Sequence, residues 1–160
     1  MDHGRHPSLV LPDGTGGAVR YAYGDWRWFA NAETGFLQGA AALLWPTRGT
    51  LGRQQLSAWG SVAALRREIT EGFVGLYPLE VSASATSELV SRLDCIYFAG
   101  QAQALESPLF SLTFVPHPER YWFGNNSNVV TARWLEELDV EVRGSALFSR
   151  WALASMDADD

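Results

Sequence analysis

The sequence predicts one α+β domain over residues 1–160, in which a small antiparallel sheet packs against helices. The length of 160 residues is ordinary for a single domain with one hydrophobic core. Apolar and polar residues alternate over 18–23, which is the pattern of a half-buried strand. Apolar residues recur every three or four positions over 82–100 and 126–138, which is the pattern of amphipathic helices.

The composition excludes several classes of protein. Hydrophobic residues make up 47% of the chain and charged residues 19%, which excludes a mainly disordered chain and a coiled coil. The 12 basic residues are all arginine and face 18 acidic residues, so the formal net charge is -6. This balance argues against nucleic acids and anionic membranes as partners, because both attract excess positive charge.

Neither a targeting segment nor a cysteine framework is visible. The first residues lack the apolar core of a secretion signal, so we expect a cytoplasmic protein or one whose leader has been removed. The apolar stretch 39–45 is far shorter than the roughly 20 residues of a transmembrane helix. Cys95 is the only cysteine, which excludes an intrachain disulfide and a cysteine-based zinc site. Its place on the flank of the 82–100 helix predicts an inert, buried thiol.

The first predicted strands form a hairpin. The apolar run 8–11 and the alternating segment 18–23 flank 12–17, a stretch dense in turn-forming residues. Alternation predicts more strands later in the chain, and the prolines at 116 and 118 are expected to end one of them. These later strands are 50–59, 77–81, 110–114 and 121–123.

Helices are predicted between and after these strands. The aromatic segment 24–29 predicts a loop or a short helix, and 36–44 predicts a small buried helix that Pro46 stops. Segment 62–71 has weak helical character. The serines and threonine of 82–87 are typical of a helix start, and they precede the apolar stripe of the 82–100 helix.

The helix predicted over 126–138 begins with a cluster of asparagines around Ser127. Such residues satisfy the unpaired amides of a helix start. At 100° per residue, Ser127 lies on the apolar face with Val130 and Trp134, so its hydroxyl is expected to point towards the body of the protein. A serine that only capped the helix would not need that direction.

Ser127 is therefore a candidate nucleophile. The positive end of the helix dipole favours a developing anion there, and backbone amides can hold an oxyanion. A nucleophilic serine also needs a base, and His6 precedes the first strand with the same side-chain parity as Ser8. We expect His6 and Ser127 to meet within about 5 Å, as an acid–base pair does when no substrate is bound. The alternative is that Ser127 is a plain helix cap.

The remaining candidates carry weaker signals. His3 and His6 are spaced as two metal ligands, but no third ligand is evident, so we predict neither a metal site nor a cofactor. His117 lies between two prolines and is expected to be a surface turn residue. An aromatic cluster is expected to belong to the core, or alternatively to line a groove for a sugar or an acyl chain. Its members are Tyr21, Tyr23, Trp26, Trp28 and Phe29.

Four segments resemble, in the same order along the chain, motifs of a family of uncharacterised bacterial proteins. His6 to Pro12 is similar to that family's H-T/S-G-L-V-L-P opening, and Tyr23 to Phe29 resembles its G-W-G-D-x-x-F-Y element. Leu79 to Ser82 with the following helix resembles V-S-x-x-x-x-x-L, and Asn125 to Leu135 is similar to N-x-C-N-x-W/V-T-A-x-x-L. The family in turn resembles the circularly permuted papain-like superfamily, which includes NlpC-type and lecithin–retinol acyltransferase-like proteins.

This resemblance implies a permuted papain-like fold and three site residues. His6 would be the base, position 127 the nucleophile and Asp25 the partner that orients the base. The family pattern has cysteine where this chain has Ser127, and a hydroxyl needs more help from a base than a thiol does. Ser127 is thus a natural variant, an engineered inactivation or a sign of lost catalysis.

The expected function follows from that resemblance. It is a papain-like hydrolase or acyltransferase acting on amide or ester bonds of a small-molecule, peptide, cell-wall or lipid substrate. The serine at the nucleophile position leaves an inactive or engineered form as an open alternative. The alternatives are a non-catalytic ligand-binding module on the same fold, with the aromatic loop contacting the ligand, and a purely structural or interaction domain.

Overall fold

The computed structural model describes residues 6–30, 45–57, 61–107, 109–148 and 150–153. These residues form an α+β fold, as predicted. A five-stranded sheet contains the first five strands, and a separate two-stranded hairpin follows it. The strands are β1 (Leu9–Pro12), β2 (Ala18–Asp25), β3 (Thr47–Leu56), β4 (Leu105–Glu106), β5 (Thr113–Tyr121), β6 (Val142–Ser145) and β7 (Arg150–Leu153).

The large sheet is antiparallel throughout, with the strand order β1-β2-β3-β5-β4. The turn between β1 and β2 is built on Asp13, whose Oδ1 accepts hydrogen bonds from the amides of Thr15 and Gly17. Gly14 and Gly16 adopt the positive φ angles that this turn requires. The predicted hairpin is therefore present.

Four helices in the described ranges pack on the two faces of this sheet. They are α1 (Trp26–Phe29), α2 (Val62–Glu68), α3 (Ala83–Ala99) and α4 (Ser127–Glu137). The main core lies where α3 and α4 cover one face, and it includes Tyr21, Leu51, Leu93 and Trp134. Smaller apolar clusters lie around Leu65 of α2 and Phe29 of α1. Both long amphipathic helices thus bury the apolar stripe that the sequence predicts.

Strand β5 corrects the prediction around the prolines. Pro116 and Pro118 do not end a strand, because β5 runs through both of them to Tyr121. Along the register, Thr50 faces Pro116 and Arg48 faces Arg120, so β5 carries extra residues opposite Gly49. This bulge accommodates a residue without an amide hydrogen. His117 therefore lies within a strand and is half-buried, rather than in a surface turn.

Two further predictions, on the 77–81 strand and on Cys95, are wrong, and a third, on the 36–44 helix, is not tested. No strand forms at 77–81, whose Leu79 and Val81 pack against the main core from irregular chain. Cys95 is exposed, not buried, because the buried stripe of α3 is Thr86, Leu89, Leu93 and Tyr97, and Cys95 points away from it. The predicted helix at 36–44 lies outside the described residues. The hairpin of β6 and β7 was not predicted.

None of the helices in the described part of the chain combines the length and the apolar character that crossing a bilayer requires.

Candidate active site

The start of α4 is capped by Asn126, not by Ser127. Oδ1 of Asn126 accepts hydrogen bonds from the amides of Asn128 and Val129, at 3.0 and 3.1 Å. Its Nδ2 donates to the carbonyls of Phe123 and Leu147. Asn126 thereby joins the helix to the preceding turn and to the segment before β7. The alternative that Ser127 is a plain cap is wrong, because that position belongs to its neighbour.

The hydroxyl of Ser127 lies against His6. Oγ of Ser127 is 3.4 Å from Nδ1 of His6, across 121 positions of sequence. The expected meeting of the two side chains is confirmed. Ser127 is only 2% exposed, whereas His6 is exposed, so the pair extends from the surface into the protein. The ring of His6 also meets Phe29 of α1 edge-on, with ring centroids 5.2 Å apart.

Asp25 lies at the end of β2 and is buried. Its Oδ1 accepts a hydrogen bond from the amide of Trp28, at 2.9 Å, and so caps α1. Its Oδ2 accepts a hydrogen bond from the hydroxyl of Thr47. Through α1, Asp25 fixes Phe29, which in turn contacts His6. The described contacts thus connect Asp25 to His6 only by way of α1 and Phe29, and the role of Asp25 as the orienting partner stays a prediction.

A polar network, which the sequence analysis missed, holds the turn between β5 and α4. Nδ2 of Asn125 donates to the hydroxyl of Tyr23, at 3.1 Å, and to the carbonyl of Arg120, at 2.8 Å. Arg133 of α4 donates to Oδ1 of Asn125 and forms a 2.9 Å ion pair with Glu119. The turn is thus tied to both β2 and α4. The cluster of asparagines was the only sequence signal for this network.

Burial controls the ionisation of the groups around this turn. Burial lowers the pKa of His117, although the charge of Glu119 opposes that shift. Nδ1 of His117 accepts a hydrogen bond from the amide of Glu119, so the neutral ring carries its proton on Nε2. Burial also raises the pKa of Tyr23, and the charge of Glu119 adds to the shift. Both side chains are therefore neutral near pH 7.

One buried hydroxyl near the pair has no partner among the described atoms. Oγ1 of Thr131 lies one helical turn after Ser127, on the same face of α4. Thr131 is 2% exposed, and a buried hydroxyl that makes no hydrogen bond lowers the stability of the folded state.

The arrangement suits attack on a carbonyl carbon. Oγ of Ser127 can lose its proton to Nδ1 of His6 once the 3.4 Å contact tightens. Asn126 binds the amides of Asn128 and Val129. In the described part of the chain, the amide of Ser127 is therefore the first donor of α4 that can bind an oxyanion. Access to Oγ requires the covering residues to move, since the side chain is almost fully buried.

The other candidates lie apart from the pair or outside the described chain. Cys95 is on the exposed face of α3, with Ser91 and Arg92 nearby. His3 lies outside the described residues, and no group of three or more metal-binding side chains occurs within them. In the aromatic cluster Tyr21, Tyr23 and Phe29 are buried, while Trp26 and Trp28, both in α1, are half-buried.

No protein-family model, curated protein or solved structure matched the chain in the comparisons.

Proposed function

We propose that the chain is a permuted papain-like hydrolase or acyltransferase that uses Ser127 in place of cysteine. The observation that carries the proposal is the 3.4 Å contact between Oγ of Ser127 and Nδ1 of His6. Two segments that resemble the family's motifs supply these residues, and the nucleophile occupies the first turn of a helix. The substrates are compounds with an amide or ester bond, such as peptides, cell-wall fragments or lipids.

The reaction would proceed in two steps. Oγ attacks the carbonyl carbon, its proton passes to Nδ1 of His6, and the tetrahedral oxyanion takes a hydrogen bond from the amide of Ser127. The histidine then returns the proton to the leaving amine or alcohol as the carbon–nitrogen or carbon–oxygen bond breaks. Water or a second acceptor attacks the acyl-serine by the reverse route and releases the product.

A second function, a non-catalytic binding module on the same fold, is favoured by the state of Ser127. A hydroxyl is harder to activate than a thiol, and this one is 2% exposed. Such a module would bind a ligand beside Ser127 and His6 without forming an acyl-enzyme.

The proposal is tested by replacing the hydroxyl with a thiol. In a Cys95→Ser background, Ser127→Cys is compared with the same variant carrying His6→Ala, and iodoacetamide labelling is followed from pH 5 to 9. We expect labelling at near-neutral pH with His6 present, because an imidazolium stabilises a thiolate. We expect this labelling to slow at least about tenfold without His6, because the partner charge is then lost.

Two outcomes separate the functions. Equal labelling rates with and without His6, including no reaction in both, contradict the pairing and with it the acyl-transfer proposal. A His6-dependent thiol, combined with failure of the unsubstituted protein to form an acyl-serine with an activated ester such as p-nitrophenyl acetate, favours the binding module.

A further inference from the structure

Two arginines face each other across neighbouring strands, and neither pairs with a carboxylate in the described part of the chain. Arg48 of β3 and Arg120 of β5 are direct cross-strand neighbours, and both are exposed. Within the described ranges neither forms an ion pair: Arg48 donates to Oε1 of Gln103, at 2.6 Å, and Arg120 donates to the carbonyl of Pro46, at 3.4 Å. Like charges in directly opposite positions destabilise a sheet.

This pairing is unusual for a chain with a net charge of -6. Five other arginines each pair with a carboxylate: Arg20, Arg53, Arg92, Arg133 and Arg143. Arg27, Arg66 and Arg67 form no ion pair in the described ranges either, but Arg48 and Arg120 differ from them in standing directly opposite each other in the sheet. The two facing positive charges are complementary to an anionic ligand.

Aromatic side chains lie at the same end of the sheet as the two arginines. The guanidinium of Arg48 lies over the ring of Trp26, 4.8 Å from its centroid, which keeps the side chain in place. Trp45 is 74% exposed and Trp122 is 46% exposed. Both lie at the same end of the sheet, because Thr47 pairs with Tyr121 and each tryptophan is close to one of these residues in sequence. Flat apolar surface thus adjoins the positive charge.

Arg120 is also linked to the turn that precedes Ser127. The carbonyl of Arg120 accepts a hydrogen bond from Asn125, which is two positions before Ser127. Two residues of extended chain span only about 7 Å. A ligand the size of an acylated amino acid is long enough to connect a group near Arg120 with the first turn of α4.

We propose that Arg48 and Arg120 form a subsite for the anionic group of a small amphiphilic ligand. The two guanidinium groups bind a carboxylate or phosphate, and Trp45 and Trp122 contact the apolar part. The anion removes the repulsion between the arginines and gains charge-assisted hydrogen bonds. As the substrate class of Ser127, this inference rests on the proposed function: the substrate would be an acyl compound with an anionic group a few atoms from the reacting carbonyl.

Binding is tested without any reaction, using tryptophan fluorescence and calorimetry on the full chain. The probes are N-octanoylglycine, octyl phosphate and the neutral N-octanoylglycinamide. We expect at least one anionic probe to bind about tenfold more tightly than the neutral one, the usual effect of a charge-assisted hydrogen bond. The carboxylate and the phosphate probes distinguish the two sources of the anion.

Arginine variants assign the site. Arg48→Gln and Arg120→Gln should each remove the preference for the anionic probes, while Arg67→Gln, at an exposed arginine on α2, should retain it. Without ligand, Arg120→Gln should be at least as resistant to urea as the unsubstituted protein, because a like-charge pair has been removed. Equal binding of all three probes, an equal loss in Arg67→Gln, or unfolding of both arginine variants overturns the proposal.

The outcome is independent of the chemistry at Ser127. Ser127→Ala should bind the anionic probes as the unsubstituted protein does. Failure to bind, together with a His6-dependent thiol in Ser127→Cys, rejects the subsite alone. Binding that is kept, together with a thiol indifferent to His6, rejects the acyl-transfer function alone.

Discussion

Asn126 and Ser127 divide the start of α4 between them. The amide side chain of Asn126 satisfies two backbone amides and two carbonyls, so the hydroxyl of Ser127 is not needed for the helix. Ser127 directs that hydroxyl at His6 instead. Since the hydroxyl of Ser127 does not cap the helix, it can interact with a ligand. The amide of Ser127 and the helix dipole favour negative charge at this position.

Thr131 makes the matching prediction about stability. Its buried Oγ1 has no hydrogen-bond partner among the described atoms, so Thr131→Val, which keeps the shape, should leave the free energy of unfolding unchanged or raise it by about 1 kcal/mol. Thr86→Val is the control, because Oγ1 of the equally buried Thr86 donates to the carbonyl of Ser82, at 2.9 Å. Urea denaturation should rank Thr131→Val above Thr86→Val, and the reverse order would mean that Thr131 holds an ordered water.

At the scale of elements, the bulge of β5 depends on a glycine in β3. A Cβ on Gly49 would lie 2.2 Å from the carbonyl oxygen of Glu119 and 2.7 Å from the hydroxyl of Tyr23. Gly49→Ala should therefore lower the free energy of unfolding by about 1–3 kcal/mol or more, since a backbone atom must shift.

The control for this change is Gly75→Ala, where a Cβ would meet only the ring of Tyr77, which is 58% exposed and can turn aside. Thermal melting of both variants measures the difference. If Gly49→Ala and Gly75→Ala have the same melting temperature, the close approach of β3 to the bulge is not a constraint on the fold.

The elements also show which parts of the fold a sequence pattern can reveal. The stripes of 82–100 and 126–138 are long and periodic, so they predicted α3 and α4 to within a few residues. The alternation at 77–81 has the period of a strand, but those apolar side chains pack on the core without a strand partner. The prolines of β5 misled the prediction because Pro116 keeps a position opposite Thr50 of β3. Pro118 lies in the bulge opposite Gly49, which the sequence of β5 alone does not reveal.

Some contacts of the candidate site could likewise be predicted from the sequence, and others could not. The meeting of Ser127 with His6 could be predicted from the helix face and the strand parity, which are local properties. The partners of Asn125 could not, since Tyr23, Arg120 and Arg133 come together only through the sheet register and the packing of α4. Cys95 was misplaced because two adjacent faces of α3 both carry apolar residues.

At the scale of the whole molecule, His117, Glu71 and Glu119 are among the groups whose pKa is lower in the folded state than in the unfolded chain. Burial lowers the pKa of His117. Burial alone would raise the pKa of Glu71 and of Glu119, but in each case a paired arginine, Arg20 or Arg133, outweighs it and holds the pKa below its ordinary value. The folded state therefore binds fewer protons than the unfolded chain as the pH falls through their ordinary values.

Buried tyrosines act at the other end of the pH scale. Burial raises the pKa of Tyr121 to about 12, and burial with the neighbouring Asp94 raises that of Tyr21. The folded state therefore keeps these protons after the unfolded chain has lost them above about pH 10.

Stability should thus be greatest between about pH 7 and pH 10. It should decline first as the pH falls below about 6.5, where an unfolded histidine gains its proton, and again below about 4.5, where carboxylates do. Urea midpoints from pH 4 to pH 11 measure this profile. His117→Gln should abolish the first decline and keep the second, and a midpoint that stays constant from pH 7 to pH 5.5 in the unsubstituted protein contradicts the assignment to His117.

The 121 positions between His6 and Ser127 also determine when the site can exist. During synthesis, His6 emerges early and the hairpin of β1 and β2 can pair at once, but the hydroxyl follows only after the rest of the large sheet has been made. Closing so long a loop is slow compared with forming neighbouring hairpins, because the chain gives up its freedom before the contact forms. A nascent or truncated chain that stops before α4 can hold much of the sheet but lacks Ser127, so reactivity of the proposed Ser127–His6 pair would report that the two distant segments have come together.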